Sequence, residues 1–340
     1  MVGEQRSGSN LLRLILNSSS EIVAPHPPHI LQNLMPLMHD YGDLSDDSTM
    51  ARLVDDVCKL VEYNPVAWDG INELDRSEVM ELCQENSLVA AFNAVMEIYA
   101  KRHGASAWLC KSMQNIRWAK ELDSYLENAK FIYLYRDPRD VALSFSKAVI
   151  GDKHPYNIAT KWVELQQLCL SAEQWLRPDQ FKRICYEELT SEPEQIIKDL
   201  CDFLEISFVP DMLDFHRSGE ASRTATKSSL WSNLTKPVMS SNSNKFKQDM
   251  SKQHVRIIES VAGEIMDKLG YERHLVKAGT EEKFSKREIE QFNMENDKSI
   301  KAMSKMVDPD DLQRRQRQQN INKEIKEFIS QSPLPHTGTG

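Results

Sequence analysis

No apolar run in this chain approaches the ~20 residues that a membrane-spanning helix requires. The first residues also lack the basic start and apolar stretch of a secretory signal, so the expected location is cytoplasmic. Cysteine is sparse and scattered. The six residues Cys58, Cys83, Cys110, Cys169, Cys185 and Cys201 form no Cys-x-x-Cys pair, which excludes a zinc ribbon or a disulfide scaffold and predicts reduced, mostly buried thiols. Positive charge is in deficit: 42 Lys and Arg against 51 Asp and Glu give a net charge of -9. That balance argues against nucleic acid as the main partner, while a local basic pocket stays compatible with a small anionic ligand. The Gly-Lys-Ser/Thr ending of a Mg-nucleotide P-loop is missing as well.

The most informative stretch present is Glu4-Gln5-Arg6-Ser7-Gly8-Ser9-Asn10-Leu11-Leu12. Gly8 permits a tight turn, Ser9 and Asn10 are helix-capping residues, and Leu11, Leu12, Leu14, Ile15 and Leu16 give the ensuing helix an apolar face. A turn that enters a helix in this way aims backbone N–H groups at an anion, so the segment reads as a phosphate or sulfate cradle. The competing reading is an ordinary helix cap. Only Met1 and Val2 precede the cradle, so the expectation is that the strand feeding it is short or that the chain begins late.

With 340 residues the chain can bury a large core. From Ile30 to about Glu97 apolar residues recur at helical spacing, as in Leu53-Val54-Val57-Leu60-Val61 and Val89-Phe92-Val95-Met96-Tyr99, which predicts an α-rich insertion. Trp108-Leu109-Cys110 is a short candidate strand, followed by a helix from Ile116 to Asn128. Phe131-Ile132-Tyr133-Leu134-Tyr135 has the aromatic and β-branched character of a buried parallel strand, and Arg183-Ile184-Cys185-Tyr186 is another. Strands alternating with helices predict an α/β fold around a parallel sheet, with ligands at the carboxyl ends of the strands. From about Ala278 to Ser332 dense mixed charge and thin apolar stripes, such as Ile289-Phe292 and Ile321-Ile325-Phe328-Ile329, predict a charged helical extension. It would lie on the globular body or on a second copy of the chain. Residues 333–340 read as a disordered tail.

A second anion site follows the strand at Phe131, in Arg136-Asp137-Pro138-Arg139-Asp140-Val141-Ala142-Leu143-Ser144. The strand delivers Arg136 to the sheet edge, Pro138 suits a first helical turn, and Ser144 falls about two turns further on, so Arg136 and Ser144 are placed to hold one phosphate. An Arg/Asp capping cluster is the bland alternative. In this order the two segments resemble the cofactor motifs of the sulfotransferases that use 3'-phosphoadenosine 5'-phosphosulfate (PAPS). The resemblance implies a P-loop NTPase-like three-layer fold over residues 1–275, with residues 30–100 on the acceptor side and an extension over 276–332. It assigns Arg6, Ser7, Gly8, Ser9, Asn10 and Leu11 to the 5'-phosphosulfate, and Arg136 and Ser144 to the 3'-phosphate. Tyr186-Glu187-Glu188-Leu189 is similar to the family's Tyr-Glu-Asp/Glu-Leu segment, whose Tyr lies near the adenine. Ser228 to Val238 is similar to a late loop that completes the nucleotide site, which implies Lys236 with Ser229 or Ser232.

Sulfuryl transfer is an in-line displacement that depends on positioning and positive charge, with no metal required. Arg6 is the first candidate for that charge. Lys111, opening Lys-Ser-Met-Gln-Asn after the short strand, resembles the family's sulfonate-contacting Lys, although Met113 stands where that pattern has Pro. Where relatives carry a catalytic Glu, this chain has Pro25-His26-Pro27-Pro28-His29. A histidine titrates in the right range for a general base, so His26 and then His29 are candidates to take the acceptor's proton. The acceptor itself is a hydroxyl or amine of unspecified structure. Two other readings compete: an ATP-dependent kinase-like enzyme, against which the missing Walker Lys counts, and a non-catalytic nucleotide-binding scaffold assembling through its C-terminal helices.

Overall fold

The computed structural model describes residues 1–227 and 229–331. It divides into two compact units, one of residues 1–12 and 130–308, the other of residues 13–129 and 309–331. The strands are β1 (Val2–Gly3), β2 (Ile22–Val23), β3 (Ala107–Trp108), β4 (Phe131–Tyr135) and β5 (Phe181–Cys185). The helices used below are α1 (Ser9–Leu16), α2 (Asp47–Glu62), α3 (Leu88–Arg102), α4 (Pro138–Ser146), α5 (Pro155–Trp175), α6 (Pro193–Leu204), α7 (Lys252–Lys268), α8 (Lys286–Ser304) and α9 (Pro309–Gln331).

The first unit is built on a parallel sheet in the order β1-β4-β5. Strand β4 lies in the middle because its five residues Phe-Ile-Tyr-Leu-Tyr can be covered on both faces, and the first four are buried. Gly3 pairs with Leu134 and Tyr135 with Cys185. That register makes the chain leave all three strands at one edge, so Glu4, Arg136 and Tyr186 emerge there together. Helices α4, α5 and α7 share a buried cluster that includes Val141, Phe145, Ile158, Trp162, Ile258 and Ile265. Two polar ties fix α5: Tyr133 donates to Gln166 at 2.7 Å, and the Trp162 indole donates to the Arg136 carbonyl at 3.2 Å. Helix α8 runs against α5.

The second unit is mostly helical. Asp46 caps α2 through the Thr49 N–H, and Ser87 caps α3 through that of Ala90. Helix α3 is buried almost all round, as its near-continuous apolar sequence requires. Strands β2 and β3 form a separate parallel pair, Ile22 opposite Ala107 and Val23 opposite Trp108. Helix α9 lies along α2, with Ile325 buried, Arg317 over the Tyr63 ring at 4.8 Å and Arg52 over the Phe328 ring at 3.8 Å.

A mixed α/β fold with a parallel sheet therefore stands, β4 has the predicted bounds, and the first strand is as short as expected. Ile22–Val23 is a strand that the sequence does not announce, since two residues carry no periodicity. Three local expectations differ. The strand expected at Trp108-Leu109-Cys110 is confined to Ala107–Trp108. The helix expected from Ile116 begins as a 3-10 turn, Met113–Trp118, and becomes α-helical only over Ala119–Tyr125. Tyr186 does not end β5 but opens the short helix Tyr186–Ser191. The predicted tail at 333–340 lies outside the described residues.

Candidate nucleotide site and acceptor-side cluster

In the first unit a cavity of about 430 Å³ opens at the sheet edge, a size ordinary for a small-ligand site. Its wall includes Arg6, Gly8, Ser9, Asn10 and Leu11 from the first motif and Arg136, Asp140 and Ser144 from the second. Tyr186 and Lys236 line it too, together with Trp231, Asn242, Lys147 and Lys245. Ser7 is fully buried and is not part of the wall. Ser229 lies in a 3-10 turn over Ser229–Thr235, but its side chain and that of Ser232 are outside the described residues, as is all of Ser228.

The cradle is a strained turn. Arg6 sits at φ 66°, unfavourable for a residue with a Cβ, and Gly8 sits at φ 91°. A Cβ on Gly8 would fall 2.4 Å from Cδ2 of Tyr186, so glycine is demanded twice, by conformation and by the ring against it. Arg6 Nε donates to Ser144 Oγ at 3.0 Å, and Arg136 Nη1 donates to the Arg6 carbonyl at 3.0 Å. Arg136 Nη2 donates to the Asn242 carbonyl at 2.6 Å, while the guanidinium lies 4.4 Å from the centre of the Tyr186 ring. The two positive charges repel: burial and the neighbouring Arg136 lower the pKa of Arg6. Like charges held this way call for an anion. Three buried polar atoms at this place also lack protein partners, namely Ser7 Oγ, Asn10 Oδ1 and Arg136 Nε. A hydroxyl and a guanidinium N–H left over beside a helix N-terminus are the donors that a phosphate or sulfate would use, so the residues fit a PAPS-type ligand.

Asp140, in the first turn of α4, anchors a more distant segment. Its carboxylate accepts the Asn244 N–H at 2.6 Å and the Phe246 N–H at 2.9 Å, and it faces Arg136 at 3.7 Å. It thereby pins residues 242–246 to α4. Asn242 in that segment donates to the Tyr186 hydroxyl at 2.7 Å and accepts from Lys245 Nζ at 2.7 Å. Asp137 caps α4 and is gripped by Arg139, which also reaches Glu259 on α7 at 2.7 Å. Asn242 was not legible in the sequence. It lies in a polar run with no periodicity, and only the fold brings that run to Tyr186.

The second unit holds the other candidates. Arg13 is fully buried; its Nη1 donates to the Ala24 carbonyl at 2.7 Å and its Nη2 lies 3.1 Å from His26 Nε2. His26 Nε2 is therefore the acceptor, and burial together with Arg13, Lys111 and His29 drives its pKa far below the usual histidine range. The His26 carbonyl takes the Trp68 indole N–H at 2.7 Å. His29 differs. It occupies a left-handed conformation at φ 55°, its Nδ1 is buried with no partner, and burial and Lys111 lower its pKa to about 4. Lys111 thus lies within electrostatic reach of both histidines. Among the tryptophans, Trp162 is core and the Trp68 indole is tied to the His26 carbonyl, whereas Trp231 lines the cavity of the first unit. No group of three or more His, Cys, Asp or Glu among the described residues is arranged to hold a metal, and no described helix is long and apolar enough to cross a membrane.

The model of the sulfotransferase family matches residues 1–211, and the chain belongs to that family. An uncharacterized protein of Aquifex aeolicus (strain VF5) is 24% identical over 235 residues, covering 66% of this chain and 28% of that protein. A putative protein-tyrosine sulfotransferase of Caenorhabditis briggsae is 27% identical over 135 residues, 38% of this chain and 47% of that one. Sulfotransferase 2A2 of Rattus norvegicus is 31% identical over 106 residues, 26% and 36% of the two chains. This chain thus spans less than half the length of these relatives. Among solved structures, the sulfotransferase domain from the curacin biosynthetic pathway superposes with a TM-score of 0.52 at 22% identity, covering 80% of this chain and 97% of that domain. The sulfotransferase domain of the Synechococcus PCC 7002 olefin synthase does so with a TM-score of 0.50 at 18% identity, covering 77% and 92%. These likenesses establish the sulfotransferase fold.

Proposed function

We propose that the chain is a PAPS-dependent sulfotransferase on a P-loop-like fold, transferring a sulfuryl group to a hydroxyl or amine. The observation that carries this reading is the joining of two motifs in one cavity wall, sealed by the Arg6–Ser144 hydrogen bond. PAPS has two separate phosphate-bearing ends, and ATP lacks the 3'-phosphate that Arg136 and Ser144 would hold. Arg6 and the N–H groups of the Ser7–Leu11 turn bind the 5' end and stabilise charge there, help of a kind worth a few kcal/mol in transfer reactions. Tyr186 supports the adenine, and Lys236 adds charge from the late loop.

PAPS supplies the sulfuryl group; the chain supplies position and charge. Lys111 is assigned by its motif to the sulfonate. For the acceptor's proton, His29 is the better of the two histidines, because its Nδ1 has no partner whereas His26 Nε2 is engaged by Arg13. His26 then positions the loop. Calorimetric titration with 3'-phosphoadenosine 5'-phosphate (PAP) and with ATP, with and without Mg²⁺, tests the proposal. Tight, metal-independent binding of PAP supports it, and selective Mg-ATP binding favours the kinase reading and refutes ours.

A further inference from the structure

Helix α8 is mostly exposed, yet one polar side chain in it is deeply buried. Asn296 is 4% exposed and makes three hydrogen bonds to a single turn of the body. Its Oδ1 accepts the N–H groups of Lys153 at 2.7 Å and His154 at 3.0 Å, and its Nδ2 donates to Asp152 Oδ1 at 3.0 Å. The remaining contacts of α8 aim at the same place. Phe292 stacks on His154 with ring centres 4.5 Å apart, and Asn293 accepts from Asn157 Nδ2 at 2.8 Å.

That turn in turn closes α4. The ammonium of Lys153, itself buried, donates to the carbonyls of Phe145 at 3.1 Å, Ile150 at 2.6 Å and Gly151 at 2.8 Å. A cation on the last carbonyls of a helix satisfies orphan acceptors and opposes the helix dipole. Gly151, at φ 74°, packs so closely that a Cβ there would lie 2.6 Å from the Phe145 ring. Phe145 directly follows Ser144, the acceptor of the Arg6 hydrogen bond, and precedes Lys147 of the cavity wall by two positions. The path from α8 to the cavity is thus continuous: Asn296, the turn at 152–154, the Lys153 ammonium, the last turn of α4, Ser144.

We infer that Asn296 is a positioning residue for the nucleotide site, holding the C-terminal end of α4 in register through the Asp152–His154 turn so that Ser144 and Lys147 face the ligand. The extension thereby becomes a working part of the site. The inference rests on the nucleotide-binding reading above, and it makes Asn296 matter to affinity as well as to stability. Alanine at this position would leave the Lys153 and His154 N–H groups unpaired, and aspartate would keep those two acceptors but lose the donor to Asp152.

The test uses the full chain with Asn296→Ala, Asn296→Ser, Asn296→Asp, Asp152→Asn and the exchanged pair Asn296→Asp/Asp152→Asn. Two readouts are taken well below each thermal midpoint: PAP affinity, and amide hydrogen exchange over residues 144–148. Asn296→Ala is expected to weaken PAP about 10-fold, the equivalent of one lost hydrogen-bond network, with faster exchange in the last turn of α4. Asn296→Asp sets two carboxylates face to face and should weaken binding similarly, whereas the exchanged pair restores a donor to the Asp152 position and recovers affinity to within about threefold. Should Asn296→Ala fail to fold, Asn296→Ser serves in its place with the same expectations. Lower melting temperatures with wild-type affinity and unchanged exchange at 144–148, or an exchanged pair no better than the single variants, would overturn the inference. If the unaltered protein does not bind PAP, the functional reading fails instead, and the role of Asn296 is decided by exchange at 144–148 alone: acceleration sustains it and no change refutes it.

Discussion

Arg6 and Ser144 are 138 residues apart in sequence and 3.0 Å apart in space, with the Arg6 Nε–H donating to the serine hydroxyl. Each belongs to a different cavity-lining segment, so the hydrogen bond joins the two into one wall. Ser144 is paired first with Arg6, while Arg136 is spread between the Arg6 and Asn242 carbonyls and keeps its Nε–H uncommitted.

That uncommitted donor predicts the effect of Arg136→Ala. Removing a charged hydrogen bond to a phosphate should weaken PAP by about 1.5 to 3 kcal/mol. Calorimetry on the folded variant measures this directly, and unchanged affinity would move the 3'-phosphate elsewhere.

Gly8 tests the fit between cradle and ring. Gly8→Ala drives a Cβ into Tyr186 and forces alanine into positive φ, so the variant should unfold at lower denaturant than the parent. In a Tyr186→Ala background the collision vanishes and only the conformational strain, roughly 1 kcal/mol, remains. A denaturant double-mutant cycle should therefore show coupling, and strict additivity would contradict the close approach.

Asp140 anchors the segment 242–246 through two backbone N–H groups. Asp140→Asn keeps the shape but halves the acceptor capacity and removes the charge, at a cost of about 1.5 to 3 kcal/mol. Limited trypsin digestion is the sensitive assay, since Lys245 and Lys247 flank Phe246 at the start of the short helix Phe246–Asp249. Cleavage there should be faster in the variant than in the parent, and equal rates would mean that the segment is held by other contacts.

His29 carries a pH signature. Its pKa is lowered to about 4 in the folded chain against about 6.5 when exposed, so the unfolded state binds the extra proton between those values. The neutral, buried form contributes stability that is fully present above about pH 6.5 and is lost as the pH falls toward about 4. His29→Asn suits the left-handed backbone and has no such proton to bind. Urea titrations from pH 4 to pH 7 should therefore show a shallower loss of stability in the variant, and parallel curves would place His29 in a more solvated setting.

The two cavity-lining segments, the central strand Phe131–Tyr135 and the helical character of the extension were determined by the sequence itself, because each rests on local spacing and turn chemistry. A glycine before a helix cap, or an apolar run of five, keeps its meaning wherever it is placed. What the tertiary structure decided concerns partners. Which guanidinium meets Ser144, why His26 is an acceptor while His29 Nδ1 has none, how Asn242 reaches Tyr186, and what Asn296 holds all depend on chain segments distant in sequence. Hydrogen bonds and desolvation act over a few ångströms in space and leave no periodic trace along the chain, so only the folded arrangement could assign them.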